Sequence, residues 1–266
     1  MTANLSSGMK ISEVIAAVEA YAPLRLQEEY DNAGLQVGFP DDELTGVLVS
    51  LDVTEEVILE AVASGCNLIL SHHPLLFHPL RQVSDSTCQQ RCVVSALANG
   101  LTIYSAHTNL DNARGGVNFK IAGIIGLQSV SWLQPMPGED AGSGIIGELP
   151  EAMDDHSFLA MLKDCFNAAC LAHTAASGRM IRKVALCGGA GAFLMHDARR
   201  AGADCFITGE LHYHDYFESE GMLLAAMGHY ESEQFTEELL ATIVSDAFPL
   251  LKVVLTDIDT NPVRYM

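Results

Sequence analysis

LILSHHPLLFH, residues 68–78, decides the architecture. Residues 68–70 are a short unbroken apolar run, the kind that fills a strand covered on both faces. Ser71 and two histidines follow, and Pro74 holds His73 extended while breaking the run into a loop. Neighbouring strand side chains point to opposite faces, so His72 and His73 converge only where the strand gives way to that loop. Polar donors at the carboxyl end of a buried strand mark the edge of an α/β sheet at which ligands bind.

The same alternation runs outward in both directions. Upstream, GVLVSLD (46–52) reads as a strand and TEEVILEAVASG, from Thr54, as a helix. Ile11, Val14, Ile15, Val18 and Tyr21 keep helical spacing near the start. Downstream, a helix over 86–99 precedes the strand LTIYSAHT (101–108), and 115–126 reads as helical. The second half repeats the pattern through IRKVALCGG, GAFLMHDARRAG, ADCFITGE, YHDYFESEG and MLLAAMGH, then a helix over 230–247 and a closing strand, LKVVLTDID. Short apolar runs alternating with helices predict an α/β protein with mostly parallel sheets. Residues 129–150 are rich in Gly, Pro and acid and read as a linker, which sets a domain boundary near 128.

Composition narrows the class. At ~150 residues per domain, 266 residues make one large domain or two modest ones. An apolar content of 49% with 18% charged residues excludes a disordered chain. Fourteen Lys+Arg against 34 Asp+Glu give a net charge of −20, which argues against nucleic acid or an anionic membrane as partner. No stretch approaches the ~18 unbroken apolar residues of a membrane span, and MTANLSSGMK lacks the pattern of a secretory leader. Seven cysteines form an odd set without a CxxC pair, most of them in apolar runs, so reduced thiols and a cytoplasmic location are expected.

Ten histidines are the feature to explain. Four clusters follow strands: His72, His73 and His78; His107 with Asp111; Glu210 with His212 and His214; His229 with Glu231 and Glu233. His156, His173 and His196 lie elsewhere and are assigned to structure. A lone histidine at a strand end is most simply a hydrogen-bonded or solvated imidazole, but a random scatter would not gather so many at one edge. His229 and Glu233, four apart, share a helix face, with Glu231 expected to point away into solvent. His107 and Asp111 are also four apart, although 108–110 reads as loop. A catalytic mononuclear zinc site takes three protein ligands and a water. His72, His73, Asp111, His229 and Glu233 offer five, with His107 a sixth candidate. That number suits two ions ~3.5–4 Å apart sharing a carboxylate, an arrangement that activates water for hydrolysis. Mixed imidazole and carboxylate donors suit zinc, iron and manganese alike. The competing reading is a non-catalytic metal-binding scaffold or regulatory protein. CGGAGAF (187–193) reads as a tight turn into a packed helix rather than a nucleotide loop, and Arg25, Arg81, Arg114 and Arg264 are the arginines near motifs.

DNAGLQVG (31–38), SLDVTEEVI (50–58), LILSHHPLLF (68–77), AHTNLD (106–111), GADCFITGE (202–210) and GHYESE (228–233) together resemble the Nif-three-like dinuclear metal-centre family, homologues of type 2 GTP cyclohydrolase I. The resemblance covers nearly the whole chain and is weakest at 129–180. It implies two linked α/β/α domains, 1–128 completed by 229–266 and 129–228, with the metal site in the cleft between them. It also implies a toroidal homohexamer and two divalent metal ions per chain. The ligand set it carries over is His72, His73, Asp111 as the bridge, His229 and Glu233. His107 falls at the site as a ligand or hydrogen-bonding neighbour, and Glu210 and His212 fall where protons are handled or water is oriented. Relatives often carry a second histidine where this chain has Tyr230. The implied activity is hydrolysis of a small-molecule substrate, a nucleotide or phosphoester, by metal-activated water.

Overall fold

The computed structural model describes residues 8–266; the reading of the extreme N-terminus as carrying no leader falls partly on residues 1–7, outside the described residues. The chain runs α1 (Ile11–Tyr21), β1 (Gly34–Val37), β2 (Val47–Ser50), α2 (Glu55–Ala63), β3 (Leu68–Ser71), α3 (Cys88–Ala98), β4 (Thr102–Ser105), α4 (Thr108–Asp111) and α5 (Val117–Ile125). It continues through β5 (Gln128–Pro135), β6 (Gly142–Asp154), α6 (Asp155–Cys165), β7 (Ala172–His173), β8 (Met180–Cys187), α7 (Met195–Arg200), β9 (Cys205–Thr208) and β10 (Leu223–Ala226). α8 (His229–Glu233), α9 (Thr236–Ala247) and β11 (Val253–Leu255) complete it. Two compact units result: Met1–Leu110 with Thr236–Thr260, and Asp111–Phe235 with Asn261–Met266.

In the first unit the sheet order is β1-β4-β3-β2-β11, parallel throughout except for β1. Leu48, Ile69 and Ile103 sit abreast in register and bury one face against Val57, Ile58, Cys92 and Ala96 of α2 and α3. Val49, Leu70 and Tyr104 occupy the alternate positions and point the other way. On that side the Tyr104 hydroxyl reaches Glu19 of α1 at 3.0 Å, and α1 packs on α9. Helices therefore cover both faces, which is why strands this short and this apolar are stable here. α2 opens where the sequence indicates, with the Thr54 side chain accepting the Val57 N–H.

The second unit holds a six-stranded mixed sheet, β5-β6-β8-β9-β10-β7. β8, β9 and β10 are parallel; β5, β6 and β7 pair antiparallel. Ile146, Ala185, Phe206 and Leu224 line one face in register and pack against Leu194, Met195 and Ala198. α5 and α6 pack against β6 and β8.

The stretch expected to be a linker, 129–150, is instead most of the β5–β6 hairpin, with Trp132 opposite Ile145 and Pro135 opposite Gly142. Pro137, Gly138, Glu139 and Asp140 form the turn, Gly142, Gly144 and Gly147 lie within β6, and the outer strand is half exposed, so composition imitates a linker. Gly142 shows why glycine is used within the strand: a Cβ there would lie 2.5 Å from the Gln134 carbonyl oxygen. The hairpin also moves the division of the chain. α5 packs on β6, β8 and α6, so the second unit begins at Asp111 rather than near 129, and it retains α8, so the first unit resumes at Thr236 rather than 229. Among the described residues no helix is long and apolar enough to cross a membrane. All seven cysteines are free thiols, and Cys66, Cys92, Cys187 and Cys205 are buried.

Candidate functional site

In the first unit the parallel strands β2, β3 and β4 end level, Ser50 beside Ser71 and Ser71 beside Ser105. The chain just beyond each end therefore lies at one sheet edge, and it delivers Asp52, His72 with His73, and His107. The Ser71 and Ser105 hydroxyls bond each other at 2.8 Å, and Ser71 donates to the His73 carbonyl at 3.0 Å, which fixes the loop as it leaves the strand.

Each imidazole is then oriented through Nδ1. His72, fully buried, donates to the Ala106 carbonyl oxygen at 2.8 Å. His73 meets Asp52 Oδ1 at 2.7 Å, and His107 meets Asp31 Oδ1 at 2.7 Å. A carbonyl or carboxylate oxygen only accepts, so Nδ1 carries a proton in all three rings, and in the neutral form of each ring Nε2 holds the lone pair. Burial pushes the Asp31 carboxyl up, but the His107 hydrogen bond and charge, with Thr108 and Asn32, hold it at about 2. Asp52 is likewise held below the usual carboxylate range, its burial outweighed by His73, Thr260 and His72. The rings lie 5.0, 5.2 and 5.6 Å apart between centroids, and one ligand nitrogen from each falls within 4.8 Å of the other two. Converging lone pairs backed by carboxylates are the donor chemistry of a divalent-metal site.

The second unit repeats the device. Its parallel strands β8, β9 and β10 end at Cys187, Thr208 and Ala226, and Gly188, Glu210 and His229 follow within three residues of those ends. His229 bonds Glu210 Oε1 through Nδ1 at 3.0 Å, and its Nε2 lies 3.1 Å from Oε2 of the buried Glu233, one turn along α8. With its Nδ1 proton turned to Glu210, the ring presents a lone pair to a carboxylate oxygen. Those two acceptors repel unless a proton or a cation lies between them. Ser232 accepts the Gly189 N–H and donates to the His229 carbonyl. Asn118 donates to the Asp111 carbonyl and accepts the Gly188 N–H, tying Asp111 to the same turn. Gly189 is required there: its φ is +58°, and a Cβ would lie 2.5 Å from Glu233 Oε1.

Most of the expected site residues are thus brought into organised groups within their own units. Residues 108–110, read as loop, belong with Asp111 to the short helix α4, at whose start Asp31 Oδ2 accepts both the N–H and the hydroxyl of Thr108. Glu231, expected in solvent, is buried and accepts from Asn261 Nδ2 at 3.3 Å. His212 has an exposed ring with no hydrogen bond among the described residues; its backbone alone is held, the N–H donating to the Asp215 carboxylate and the carbonyl accepting the Asp215 N–H. His156, His173 and His196 are exposed. The CGGAGAF turn offers no phosphate cradle, since the N–H groups of Gly188, Gly189 and Gly191 go to Asn118, Ser232 and Thr208. Asp52, Asn118 and Ser232 carried no assigned role in the sequence. For Asp52 the available signal was a carboxylate in the same strand-end row as the histidines.

Known proteins share the family and the fold of this chain over nearly its whole length. Residues 9–262 match the family model described as Duf34/NIF3 (NGG1p interacting factor 3). A Clostridium perfringens protein called GTP cyclohydrolase 1 type 2 homolog is 36% identical over 229 residues, covering 85% of this chain and 87% of its own. Drosophila melanogaster NIF3-like protein 1 is 29% identical over 268 residues, covering 97% of this chain and 90% of its own. The crystal structure of a Staphylococcus aureus hypothetical protein superposes with a TM-score of 0.92 at 27% identity, covering 98% of this chain and all of that one.

Proposed function

The chain belongs to the Duf34/NIF3 family, and from that premise we propose that it is a metal-dependent hydrolase with a dinuclear centre, acting on a nucleotide or other phosphoester. In this reading His72, His73, Asp111, His229 and Glu233 would hold the ions. The observation that carries it is the common orientation of four imidazoles. His72, His73, His107 and His229 each have Nδ1 on an oxygen acceptor, which leaves Nε2 as the donor atom. Asp111 closes α4, which opens at Thr108 directly after His107.

When bound, two divalent cations supply Lewis acidity and a water acidic enough to deprotonate near neutral pH. The chain's own groups do the rest. Asp52 and Asp31 stay ionised and hold His73 and His107 in one tautomer. Glu210, exposed and 3.0 Å from His229 Nδ1, is placed to exchange protons with solvent. His107 is a sixth donor or a hydrogen-bonding neighbour, and His212 lies two residues along the Glu210 loop, within reach of a substrate held there. The relatives' name points to hydrolytic opening of a purine ring as the reaction. The toroidal homohexamer implied by the family belongs to this reading too; light scattering at six times 28.6 kDa would support it.

The test is metal analysis of protein loaded with zinc, iron or manganese, followed by a turnover screen on nucleotides and phosphoesters, with Asp111→Ala in parallel. Two ions per chain, and turnover abolished in a variant that loses both, is the expected result. Less than one ion per chain after loading overturns the metal pair. Full occupancy with no turnover on any substrate overturns the hydrolase and leaves a metal-binding or regulatory protein.

A further inference from the structure

A groove of about 590 Å³ opens in the first unit immediately after the histidine pair, under the loop that begins at Pro74. Phe77, His78, Arg81 and Gln82 line it from the loop, and Thr87 and Gln89 from the start of α3. The loop is held rather than loose. Leu76 bonds Gln36 through its N–H and Asn32 through its carbonyl, Ser84 donates to the buried Gln90, and Arg91 donates to the Asp85 carbonyl. Phe77 joins the groove to the histidines, its ring meeting His107 edge-on at 6.0 Å.

The charge in this groove is unusual for the chain. With 34 carboxylates against 14 basic residues, a cation is expected to find an acidic neighbour. Of the four arginines near motifs, Arg114 is clamped on Asp140, Arg264 on the carbonyls of Asn261 and Val263, and Arg25 has a partner as well. Those outside the motifs are also engaged, Arg182 for instance by Glu148. Arg81 alone among the arginines of the described residues makes no hydrogen bond or ion pair, and no carboxylate lines its groove. His78 beside it meets the Phe77 ring edge-on at 5.0 Å. A guanidinium kept clear of acid in so acidic a chain, with an imidazole and amide side chains around it, is a receptor for an oxyanion.

We infer that this groove binds the phosphate group of the substrate through Arg81 and His78, with the reacting part of the molecule extending past Phe77 to the histidines. The inference deepens the hydrolase reading and rests on it for the word substrate; the oxyanion receptor itself does not depend on metal.

Calorimetric titration of inorganic phosphate into the 266-residue chain tests it, with the chelator-treated form isolating the groove from any bound cation. Phosphate binds the metal-free wild type, Arg81→Gln weakens that binding about tenfold or more, Arg81→Lys restores part of it, and Arg182→Gln leaves it unchanged. Equal binding by Arg81→Gln, equal weakening by Arg182→Gln, or no binding by the metal-free wild type overturns the proposal. Acetate as a second titrant separates a phosphate receptor from a general anion patch, and acetate binding as tight as phosphate also counts against it. Metal content of Arg81→Gln, measured alongside, stays at the wild-type level. Wild-type protein that binds phosphate but no metal would instead overturn the hydrolase reading and leave the groove standing.

Discussion

Asp52 Oδ1 and His73 Nδ1 are 2.7 Å apart, although 21 positions separate the residues in the chain. Ser50 and Ser71 are paired across β2 and β3, so each partner stands two residues beyond its end of the same rung. The pair is therefore set by strand register, and it fixes which nitrogen of His73 faces outward.

Removing that support is expected to cost metal affinity before it costs the fold. Asp52→Ala should weaken divalent-metal binding about 10- to 100-fold, with Asn recovering part of the loss because its Oδ1 still accepts. Competition with a chromophoric chelator measures the affinity, and an unchanged circular dichroism spectrum excludes unfolding as the cause.

Gly189→Ala should be a double lesion. A left-handed backbone costs an L-residue about 1 kcal/mol, and the new Cβ must displace the Glu233 carboxylate 2.5 Å away. Lower stability to urea together with loss of metal is the expected result; unaltered metal content would show that Glu233 has room to move.

Glu237 gives a pH signature. Burial pushes its carboxyl up to about 7 from 4.5, against the Leu51 N–H that it accepts, and Asp52, Glu60 and Glu238 add repulsion. Folding thus favours the protonated form. The contribution is complete below about pH 4.5 and is lost as pH rises through about 7. Glu237→Gln keeps an acceptor for Leu51 and removes the charge. In chelator-treated protein at pH 8 it should be more stable by about 1–2 kcal/mol, allowing for partial solvent screening, and no different at pH 4.5. Urea titrations at the two pH values check this, and an equal change at both would refute it.

Loading with zinc should raise the melting temperature by about 10 °C at a thousandfold excess over the dissociation constant, and chelator should reverse it. The rise should shrink below about pH 6, where imidazoles take up protons and compete with the metal. Differential scanning fluorimetry across pH measures both effects.

The histidines were legible because strand ends announce themselves. Pro74 after His73, and the four-residue spacing of His229 and Glu233, locate donors from purely local pattern. What escaped depends on contacts distant in sequence. Asp52 acquires meaning only through the register of β2 and β3, and Asn118 only through the turn at Gly188. The hairpin at 128–154 was hidden for another reason, its turn chemistry outweighing the alternation of its strands. Glu231 looked solvated by helical spacing alone, but Asn261, thirty residues later, holds it in a buried position.

The return of Thr236–Thr260 to the first unit has a consequence for how the protein is made. A ribosome releases β1, β2, β3 and β4 of the first unit before the second sheet, yet β11, the outer neighbour of β2, comes only after it. All six strands of the second sheet emerge in one unbroken run before then. The sheet begun first is thus the sheet completed last, and it waits with the edge of β2 bare while its successor closes. A transcript truncated after Phe235 would yield a finished second sheet attached to an unfinished first.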